Sequence, residues 1–383
     1  MKSEDGRKML PDYIQSNLPI IGESPLRNVH RQPISHIQLE EVKQGNTLED
    51  TDILFALQKE RKNLLPILSH EYGISFVDKF SDMNLASFTS LKRIIHDEKG
   101  NKYFLKQKPS YSLDEPRRTR SALMQSTLSD YLPFVPPILF TRDDSPYAQI
   151  GTRTFLLTKF VEGDYYIGKH EQSFACARAL AEIHKYSGSV LPMQSDPVDF
   201  TEETIDFIRL VEQVDFPALD LKSSVVDHMK EKIYVYRSSN EGKLGWLHGD
   251  FAPSNMVFQQ DNLVAVNDFD NVTYGVLSRD IAECLITHCD INYAGSMSSL
   301  RVPIRTSIDV DRMEKMIGFY LEASSLKKYD IIDMPKQMVL VWIELMSLGL
   351  ARGDFSLRDV DTALDHANDI YSTGQHLMKS SST

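Results

Sequence analysis

The segment LHGDFAPSN carries three polar side chains at a fixed spacing. His248, Asp250 and Asn255 stand in an H-x-D-x4-N arrangement. A carboxylate beside a hydroxyl can orient that hydroxyl and accept its proton, and an amide oxygen about one turn later can reach a metal ion that bridges nucleotide phosphates. The arrangement therefore predicts transfer of a phosphoryl group to a hydroxyl, with Asp250 as the catalytic base and Asn255 as a metal ligand.

A second carboxylate follows in VNDFD, at the end of the next apolar run. The runs WLHGDFAPSNMVF and NLVAVNDFD are joined by a turn at residues 259–262, which predicts a β-hairpin. Magnesium takes few protein oxygens and keeps several waters, so one Asp and one Asn suffice as ligands. We therefore expect Asp268 to complete a magnesium site with Asn255. The alternative, a surface turn capped by an aspartate, is less favoured because it leaves the hairpin and Asp268 unexplained.

The elements that must position these residues follow from hydrophobic periodicity. A helical pattern begins near residue 52, and further helices are predicted at 117–131 and 174–186. Alternating apolar and polar residues predict strands, at 74–80, 88–96, 102–107 and 153–161. After residue 186 the pattern is mainly helical. A sheet-rich part therefore precedes a larger helical part, with the boundary near residues 158–163.

The motifs HGDFAPSN and VNDFDNVTYGVLSRDIA resemble the signature of the aminoglycoside phosphotransferase and choline kinase family. This resemblance implies an α+β, two-lobed protein-kinase-like fold, with a small β-rich N-terminal lobe and a larger, mainly helical C-terminal lobe. It also implies ATP as phosphoryl donor and Mg²⁺ as the metal ion. Asp280 in RDIA matches the position that braces the catalytic loop in this family. His184 in ARALAEIHK matches a family segment and is interpreted as a packed core residue.

Composition and hydrophobic pattern divide the chain into three parts, and the resemblance assigns roles to the second and third. Residues 1–50 are read as a partly irregular extension, because prolines are scattered through a polar segment. Residues 51–157 would form the nucleotide-binding lobe. Residues 158–383 would form the catalytic and substrate-binding lobe.

Five residues are candidates for binding the nucleotide. Lys106, in the strand KYFLKQ, is similar to the family lysine that contacts the α- and β-phosphates, although an exposed strand lysine is the alternative. Asn84 and Ser87 lie in SDMNLASF, at the place of the phosphate-covering loop. Thr158 and Phe160 lie in a segment that resembles the hinge whose backbone hydrogen-bonds adenine.

One feature departs from the family pattern. A glutamate normally pairs with the lysine from the following helix, but PRRTRSALMQSTLSDYLP contains none. Glu115 lies just before this segment, and Gln125 is a possible substitute. A catalytically inactive kinase-like binding protein therefore stays open as an alternative function. A protein kinase is disfavoured because no A-P-E follows Asp268 and little room is left for an activation loop.

Charge favours a small acceptor over a nucleic acid. The 383 residues include 42 Lys and Arg against 54 Asp and Glu, a net charge of −12, whereas nucleic-acid binding needs clustered positive charge. An acidic group begins the segment 191–243: Asp196, Asp199, Glu202, Glu203 and Asp206. These residues would attract an amine, but a solvated helix with an acidic first turn is the favoured interpretation. Glu344 and Asp354 are alternative acceptor contacts.

We therefore expect an ATP- and Mg²⁺-dependent phosphotransferase acting on a small, amine-containing hydroxyl compound. Aminoglycoside-like antibiotics, amino alcohols, homoserine and sugars lie within the range that the resemblance implies. The three cysteines form no CxxC pair, which indicates a reducing compartment and a cytoplasmic protein. No signal peptide or membrane span is expected, since the longest apolar stretch is short and is interrupted by Glu344. The oligomeric state is left open.

Overall fold

The computed structural model describes residues 64–82, 92–107, 115–151, 153–194, 196–213, 219–289, 308–352 and 355–380. The predicted extension 1–50 and the candidates Asn84, Ser87 and Asp354 lie outside this description. The chain divides into two compact units. The first comprises residues 1–130 and 136–161, and the second comprises residues 131–135 and 162–383.

The first unit is built on an antiparallel sheet of five strands. Its elements are helix α1 (64–72), strands β1 (Phe76–Asp82), β2 (Lys92–Asp97) and β3 (Lys102–Gln107), helix α2 (Glu115–Ser129), and strands β4 (Tyr147–Ile150) and β5 (Arg153–Lys159). The strand order is β1-β2-β3-β5-β4. The strand predicted at 102–107 is confirmed residue for residue.

The two faces of this sheet are covered by different helices. On one face, Leu68 of α1 belongs to a buried cluster with Leu105 of β3 and Leu157 of β5. On the other face, Ala122 of α2 packs in a cluster with Leu156 of β5. Successive strand residues point to opposite faces, so β4 and β5 contribute to both clusters.

The second unit is mainly helical. Its elements are β6 (Asp164–Tyr165), α3 (His170–Val190), α4 (Phe200–Gln213), α5 (Leu219–Val235), β7 (Leu244–Leu247), β8 (Met256–Gln259), β9 (Asn262–Val266), β10 (Thr273–Val276), α6 (Ser278–His288), α7 (Val310–Ser324), α8 (Met334–Arg352), α9 (Leu357–Leu364) and α10 (Ala367–Lys379). Strands β6, β8 and β9 form one small sheet, and β7 pairs with β10. The predicted hairpin is confirmed as the antiparallel pair β8–β9. The α+β architecture, with a sheet-rich first unit and a helical second unit, is likewise confirmed.

Helix α8 forms the centre of the helical unit. Its residues Leu340, Trp342 and Ile343 are fully buried, and it packs against α4, α6 and α10. A helix that is apolar on all sides belongs in the core of a protein or in a membrane. Within the part of the chain that the structure describes, no helix is both long enough and apolar enough to cross a membrane.

The three cysteines are buried in this unit and form no disulfide. Burial raises the pKa of the thiols of Cys176, Cys284 and Cys289 above their ordinary value, because a thiolate is poorly solvated in an apolar environment. All three thiols are therefore held in the protonated form near neutral pH.

Candidate active site

The 248–255 loop connects the end of β7 to the start of β8. A short 3₁₀ turn, Pro253–Asn255, ends the loop, and its proline fits the first position of such a turn. The side-chain amide nitrogen of Asn255 donates to the Asp250 carboxylate oxygen Oδ2 at 2.9 Å and to the Asp250 carbonyl oxygen at 2.8 Å. Because both partners are acceptors, the amide nitrogen must face Asp250. The Asn255 amide oxygen therefore points away from Asp250, and its chemistry suits a metal ligand.

Pairing of β8 with β9 brings Asp268 beside this loop. The backbone N–H of Asn267 donates to the carbonyl oxygen of Asn255 at 2.8 Å, so Asp268 follows directly on a residue bonded to Asn255. His248 makes a second link, since its Nε2–H donates to the Asn267 carbonyl oxygen at 3.1 Å. Asp268 itself has left-handed backbone angles, φ 70° and ψ 58°. Aspartate is one of the few non-glycine residues that adopt them, and the chain leaves β9 at this point.

Gly249 joins the 248–255 loop to the turn that follows Asp268. Its φ is +76°, and a Cβ atom there would lie 2.1 Å from the carbonyl oxygen of Asn271. A glycine is therefore required at the middle of HGD for two reasons, the backbone conformation and the close approach of another backbone.

Asp280, near the start of α6, holds the first half of the loop. Its Oδ2 accepts the backbone N–H of His248 at 2.6 Å, and its Oδ1 accepts that of Gly249 at 3.0 Å. The bracing position that the resemblance implied for Asp280 is thereby confirmed. Backbone N–H groups in a loop lack the partners that a helix or sheet supplies, so a buried carboxylate is a strong substitute.

A second carboxylate on α6 holds the next part of the loop. Glu283 Oε2 accepts the backbone N–H of Phe251 at 3.1 Å. The intervening N–H, that of Asp250, donates to His248 Nδ1 at 3.3 Å. Glu283 was not among the residues predicted from the sequence. The one available signal was its position three residues after Asp280, which places both carboxylates on one face of a helix.

His184 contacts the Asp280 carboxylate directly, and Tyr320 contacts His184 in turn. His184 Nε2 lies 3.1 Å from Asp280 Oδ2, and His184 Nδ1 lies 2.8 Å from the hydroxyl of Tyr320. Burial alone would raise the pKa of Asp280, but hydrogen bonds from His184 and from the His248 backbone, with the charge of His184, hold it below its ordinary value. His184 is a buried residue, as predicted, and it has a defined polar role.

Arg279 enters a different set of contacts. Its guanidinium pairs with the Glu344 carboxylate and lies 5.1 Å from the centre of the Phe200 ring. Thr204 Oγ1 donates to Glu344 Oε1 at 2.6 Å. Glu344, which the sequence offered as an alternative acceptor contact, thus has internal partners on α4 and α6.

The acidic group at the start of segment 191–243 is partly used for helix structure. Asp199 Oδ1 accepts the backbone N–H of Thr201 at 2.9 Å, at the start of α4. Asp206 pairs with Arg209 on the exposed side of the same helix. Glu202 and Glu203 lie in the first turn of α4. These contacts support the favoured interpretation, a helix with a solvated face and an acidic first turn.

In the first unit, Lys106 is 5% exposed. In the register of the sheet, Lys106 lies opposite Lys92 on β2 and opposite Leu156 on β5. Leu105 faces the α1 side of the sheet, so strand alternation places Lys106 on the α2 side. The alternative of an exposed strand lysine is therefore wrong.

Three of the other candidates in this unit, Gln125, Thr158 and Phe160, are bonded within it. Gln125 donates from its side-chain amide to the carbonyl oxygen of Pro136 at 2.9 Å. Glu115 is the first residue of α2. Thr158 pairs with Phe104 in the sheet, and the backbone N–H of Phe160 donates to the carbonyl oxygen of Lys102 at 3.1 Å. Any hydrogen bond from Phe160 to a ligand would therefore use its carbonyl oxygen.

The donor set near the loop fits a magnesium ion held together with phosphate oxygens. Within the described ranges, no three His, Cys, Asp or Glu side chains are arranged to hold a metal ion on their own. Asn255 and Asp268 offer one amide oxygen and one carboxylate. Mg²⁺ in nucleotide sites is commonly bound by one or two protein groups plus substrate phosphates and waters.

Comparison with solved structures shows what this fold resembles. Amicoumacin kinase hAmiN, in complex with AMP-PNP, Ca²⁺ and Ami, matches with a TM-score of 0.59 and 16% identity over 83% of this chain and 96% of that chain. A microcompartment-associated aminopropanol kinase gives 0.55 and 16%, over 82% and 96% of the two chains. Ethanolamine kinase of Plasmodium vivax gives 0.53 and 14%, over 76% and 81%. At such identities the likeness is one of fold.

The family is established by sequence. No curated protein matches this chain significantly. The profile of the phosphotransferase enzyme family, APH, matches residues 86–296, which is more than half of the chain and includes His248, Asp250, Asn255 and Asp268. The chain therefore belongs to the APH phosphotransferase enzyme family and is a small-molecule kinase with a hydroxyl acceptor.

Proposed function

We propose that this kinase transfers the γ-phosphoryl group of Mg·ATP to a hydroxyl of a small amine-bearing compound, with Asp250 as the catalytic base. The observation that carries the proposal is the double hydrogen bond from Asn255 to Asp250, together with the backbone bond from Asn267 to Asn255. These bonds join the proposed base and the proposed metal ligands into one rigid group of backbone and side-chain contacts.

Asp250 would orient the acceptor hydroxyl in line with the phosphoryl group. As the new O–P bond forms and the bond to the ADP oxygen breaks, the hydroxyl proton passes to the Asp250 carboxylate. The Asn255 amide fixes the carboxylate by holding Oδ2. When bound, Mg²⁺ would neutralise charge on the phosphates, held by the Asn255 amide oxygen and the Asp268 carboxylate.

The nucleotide would be bound by residues 51–157 together with the adjoining Thr158 and Phe160. Lys106 and Lys92 stand opposite each other on β3 and β2, so they bring positive charge to the α2 side of the sheet. We assign Lys106 to the α- and β-phosphates. Asn84 and Ser87 are proposed to cover the phosphates, and the backbone of Thr158 and Phe160 is proposed to contact adenine.

The amine in the acceptor is inferred from charge. Asp250 and Glu283 are close enough to interact electrostatically, and Glu283 is partly exposed. A cationic group would relieve this repulsion. Two of the similar structures are kinases of aminopropanol and ethanolamine, in keeping with an amino alcohol.

The cellular compartment is inferred from the cysteines. All three are free, which suits a reducing compartment such as the cytoplasm.

A second candidate is a kinase-like protein that binds nucleotide without turnover. The observation in its favour is the lack of a glutamate in α2 after Glu115. In protein kinases a glutamate from this helix pairs with the phosphate-binding lysine. Retention of Lys106, Asp250, Asn255 and Asp268 argues for the active enzyme.

The decisive experiment measures ADP release from Mg·ATP with aminoglycosides, amino alcohols, homoserine and sugars as acceptors. We expect one class to stimulate release, and Asp250→Asn to lower the rate by roughly 10²–10⁴-fold while Mg·ATP binding persists in a thermal-shift assay. Asp261→Asn is the matched control, because Asp261 pairs with Lys169 at the exposed β8–β9 turn.

Two results would contradict the proposal. If Asp250→Asn and the wild type release ADP equally fast, Asp250 is not the base. If the wild type binds Mg·ATP but no acceptor in the panel stimulates release, the binding-protein alternative is favoured.

A further inference from the structure

We infer that Glu283 is a positioning residue for Asp250: by accepting the Phe251 backbone N–H, it fixes the 248–255 loop on the far side of the proposed base. The inference rests on the role proposed for Asp250. Glu283 lies on α6, and its carboxylate oxygen Oε2 contacts the backbone of Phe251. It acts through the backbone.

The hydrogen bonds of the loop show what Glu283 adds. Asp280 takes the N–H groups of His248 and Gly249, on the N-terminal side of Asp250. Glu283 takes the N–H of Phe251, on the C-terminal side, at 3.1 Å. Asp250 therefore sits between two backbone amides that are both held by carboxylates of one helix. Without Glu283, only the N-terminal side would be fixed by α6.

The Phe251 side chain reinforces this attachment. The ring is fully buried, with its centre 5.7 Å from the ring of His248 and 6.1 Å from the ring of His288. A residue held by both its ring and its amide transmits little motion to its neighbour. The backbone of Asp250 is thus restrained on each side, which favours one carboxylate orientation.

Helix α6 is a firm support for these contacts. Asp280 is bonded to His184 on α3, and Arg279 is paired with Glu344 on α8. Glu283 is three residues beyond Asp280, so both carboxylates leave the helix on the same face. One helix, attached to two others, therefore holds three of the four residues 248–251 directly, on both sides of Asp250.

Burying Glu283 beside Asp250 is energetically unfavourable, and the hydrogen bond with Phe251 accounts for a carboxylate at this position. Burial raises the pKa of Glu283, and the nearby charge of Asp250 raises it further, whereas Arg279 and the Phe251 N–H act in the opposite direction. Two carboxylates side by side are unfavourable. An oxygen acceptor at the Phe251 N–H offsets this cost, because a buried unbonded amide is itself expensive.

The test compares Glu283→Ala with Glu283→Gln, which keeps an oxygen acceptor of nearly the same reach. Thr287→Ala is the matched control: Thr287 donates to the Glu283 backbone carbonyl on the same helix at 2.7 Å and lies 3.1 Å from His288 Nδ1, and neither of these hydrogen bonds is to a residue of the loop. Amide hydrogen exchange of Phe251 is measured by NMR. Turnover is measured as ADP release from Mg·ATP with 1-amino-2-propanol or, if that is silent, with water as acceptor.

We expect Glu283→Ala to accelerate exchange at Phe251 by about tenfold and to lower kcat by about tenfold, the size of effect expected for one hydrogen bond. The KM for Mg·ATP should not change. Glu283→Gln should restore both quantities to within about threefold of the wild type. Thr287→Ala should leave both as in the wild type.

Three outcomes would overturn the inference. Equal defects in the Ala and Gln variants would assign the effect to charge and not to the hydrogen bond. Faster exchange throughout α6 with unchanged kcat would make Glu283 a stability residue. Unchanged exchange at Phe251 would mean that the contact does not hold the loop. The exchange measurement needs no turnover, so failure of this inference is distinguished from failure of the proposed function.

Discussion

Two neighbouring residues at the start of α6 enter buried charge networks of different kinds. Asp280 belongs to a loop network, in which its carboxylate binds His184 and the backbone N–H groups of His248 and Gly249. Arg279 belongs to a helix network, in which it pairs with Glu344, which in turn accepts from Thr204. The first network ends on backbone groups of an irregular segment. The second ends on side chains of three helices.

The difference indicates what each buried charge is for. Helices satisfy their own backbone groups, so the helix network adds only side-chain contacts, and buried ion pairs of this type are often replaceable by apolar residues. The 248–255 loop has no such internal ladder. It takes its shape from the loop network, and we therefore expect catalysis to depend on Asp280 far more than on Arg279 or Glu344.

The largest effect is expected for Asp280→Asn. An asparagine has one oxygen where the carboxylate has two, so its NH₂ group would face a backbone donor. We expect a loss of about 3–5 kcal/mol in the free energy of unfolding and a fall in kcat of at least about tenfold. Urea denaturation and ADP release, measured at a temperature where the variant is folded, test both.

The pH dependence of the same variant sharpens this test. The pKa of Asp280 lies below its ordinary value. The stability that it contributes is therefore present above the unfolded pKa of about 3.9 and is lost as pH falls through the folded pKa. The wild type should lose this contribution on acidification, and Asp280→Asn should not. Parallel curves for the two proteins would contradict the assignment.

An intermediate effect is expected for Glu344→Ala, and on stability alone. Removing one partner of a buried pair leaves Arg279 uncompensated, at a cost of about 3 kcal/mol, although Glu203 and Glu283 lie within electrostatic range of it. The kcat of the folded fraction should stay as in the wild type. The double variant Arg279→Leu/Glu344→Leu should recover most of the lost stability. A fall in kcat for the double variant would show that the helix network also serves catalysis.

The smallest effect is expected for Tyr320→Phe. This change removes only the hydroxyl bonded to His184 Nδ1, the outermost contact of the loop network. We expect a loss of about 1 kcal/mol in the free energy of unfolding and a kcat within a few-fold of the wild type. Thermal unfolding and ADP release provide the measurements. A loss of activity as large as that of Asp280→Asn would place Tyr320 among the residues essential for positioning the loop.

Whether a contact could be predicted from the sequence depended on how far apart its two residues lie in the chain. The β8–β9 hairpin and the contact between Asn255 and Asp250 depend on residues close together in the chain, so local spacing predicted the hairpin and placed these side chains near each other. The bond from Phe251 to Glu283 spans 32 residues and that from Arg279 to Glu344 spans 65. No local pattern encodes such pairs, and the role of Glu283 was missed for that reason.

Helix α3 illustrates a second limit. Apolar periodicity predicted a helix at residues 174–186, whereas α3 runs from His170 to Val190. Its first turns bury polar residues, Gln172 and Ser173. Gln172 accepts the Ile167 N–H, and Ser173 donates to the Lys169 carbonyl. These hydrogen bonds compensate for the burial of the two polar side chains. Apolar periodicity therefore gives no signal for this part of the helix.

The burial of all three cysteines makes this chain convenient for site-specific labelling. Cys176, Cys284 and Cys289 are at most 2% exposed, and their raised pKa values keep the reactive thiolate scarce. A single cysteine placed at an exposed position such as Tyr234, which is 85% exposed, would react with a maleimide probe while the native thiols stayed silent. Fluorescence or spin labels could therefore be attached to the natural sequence background, with no cysteine removed beforehand.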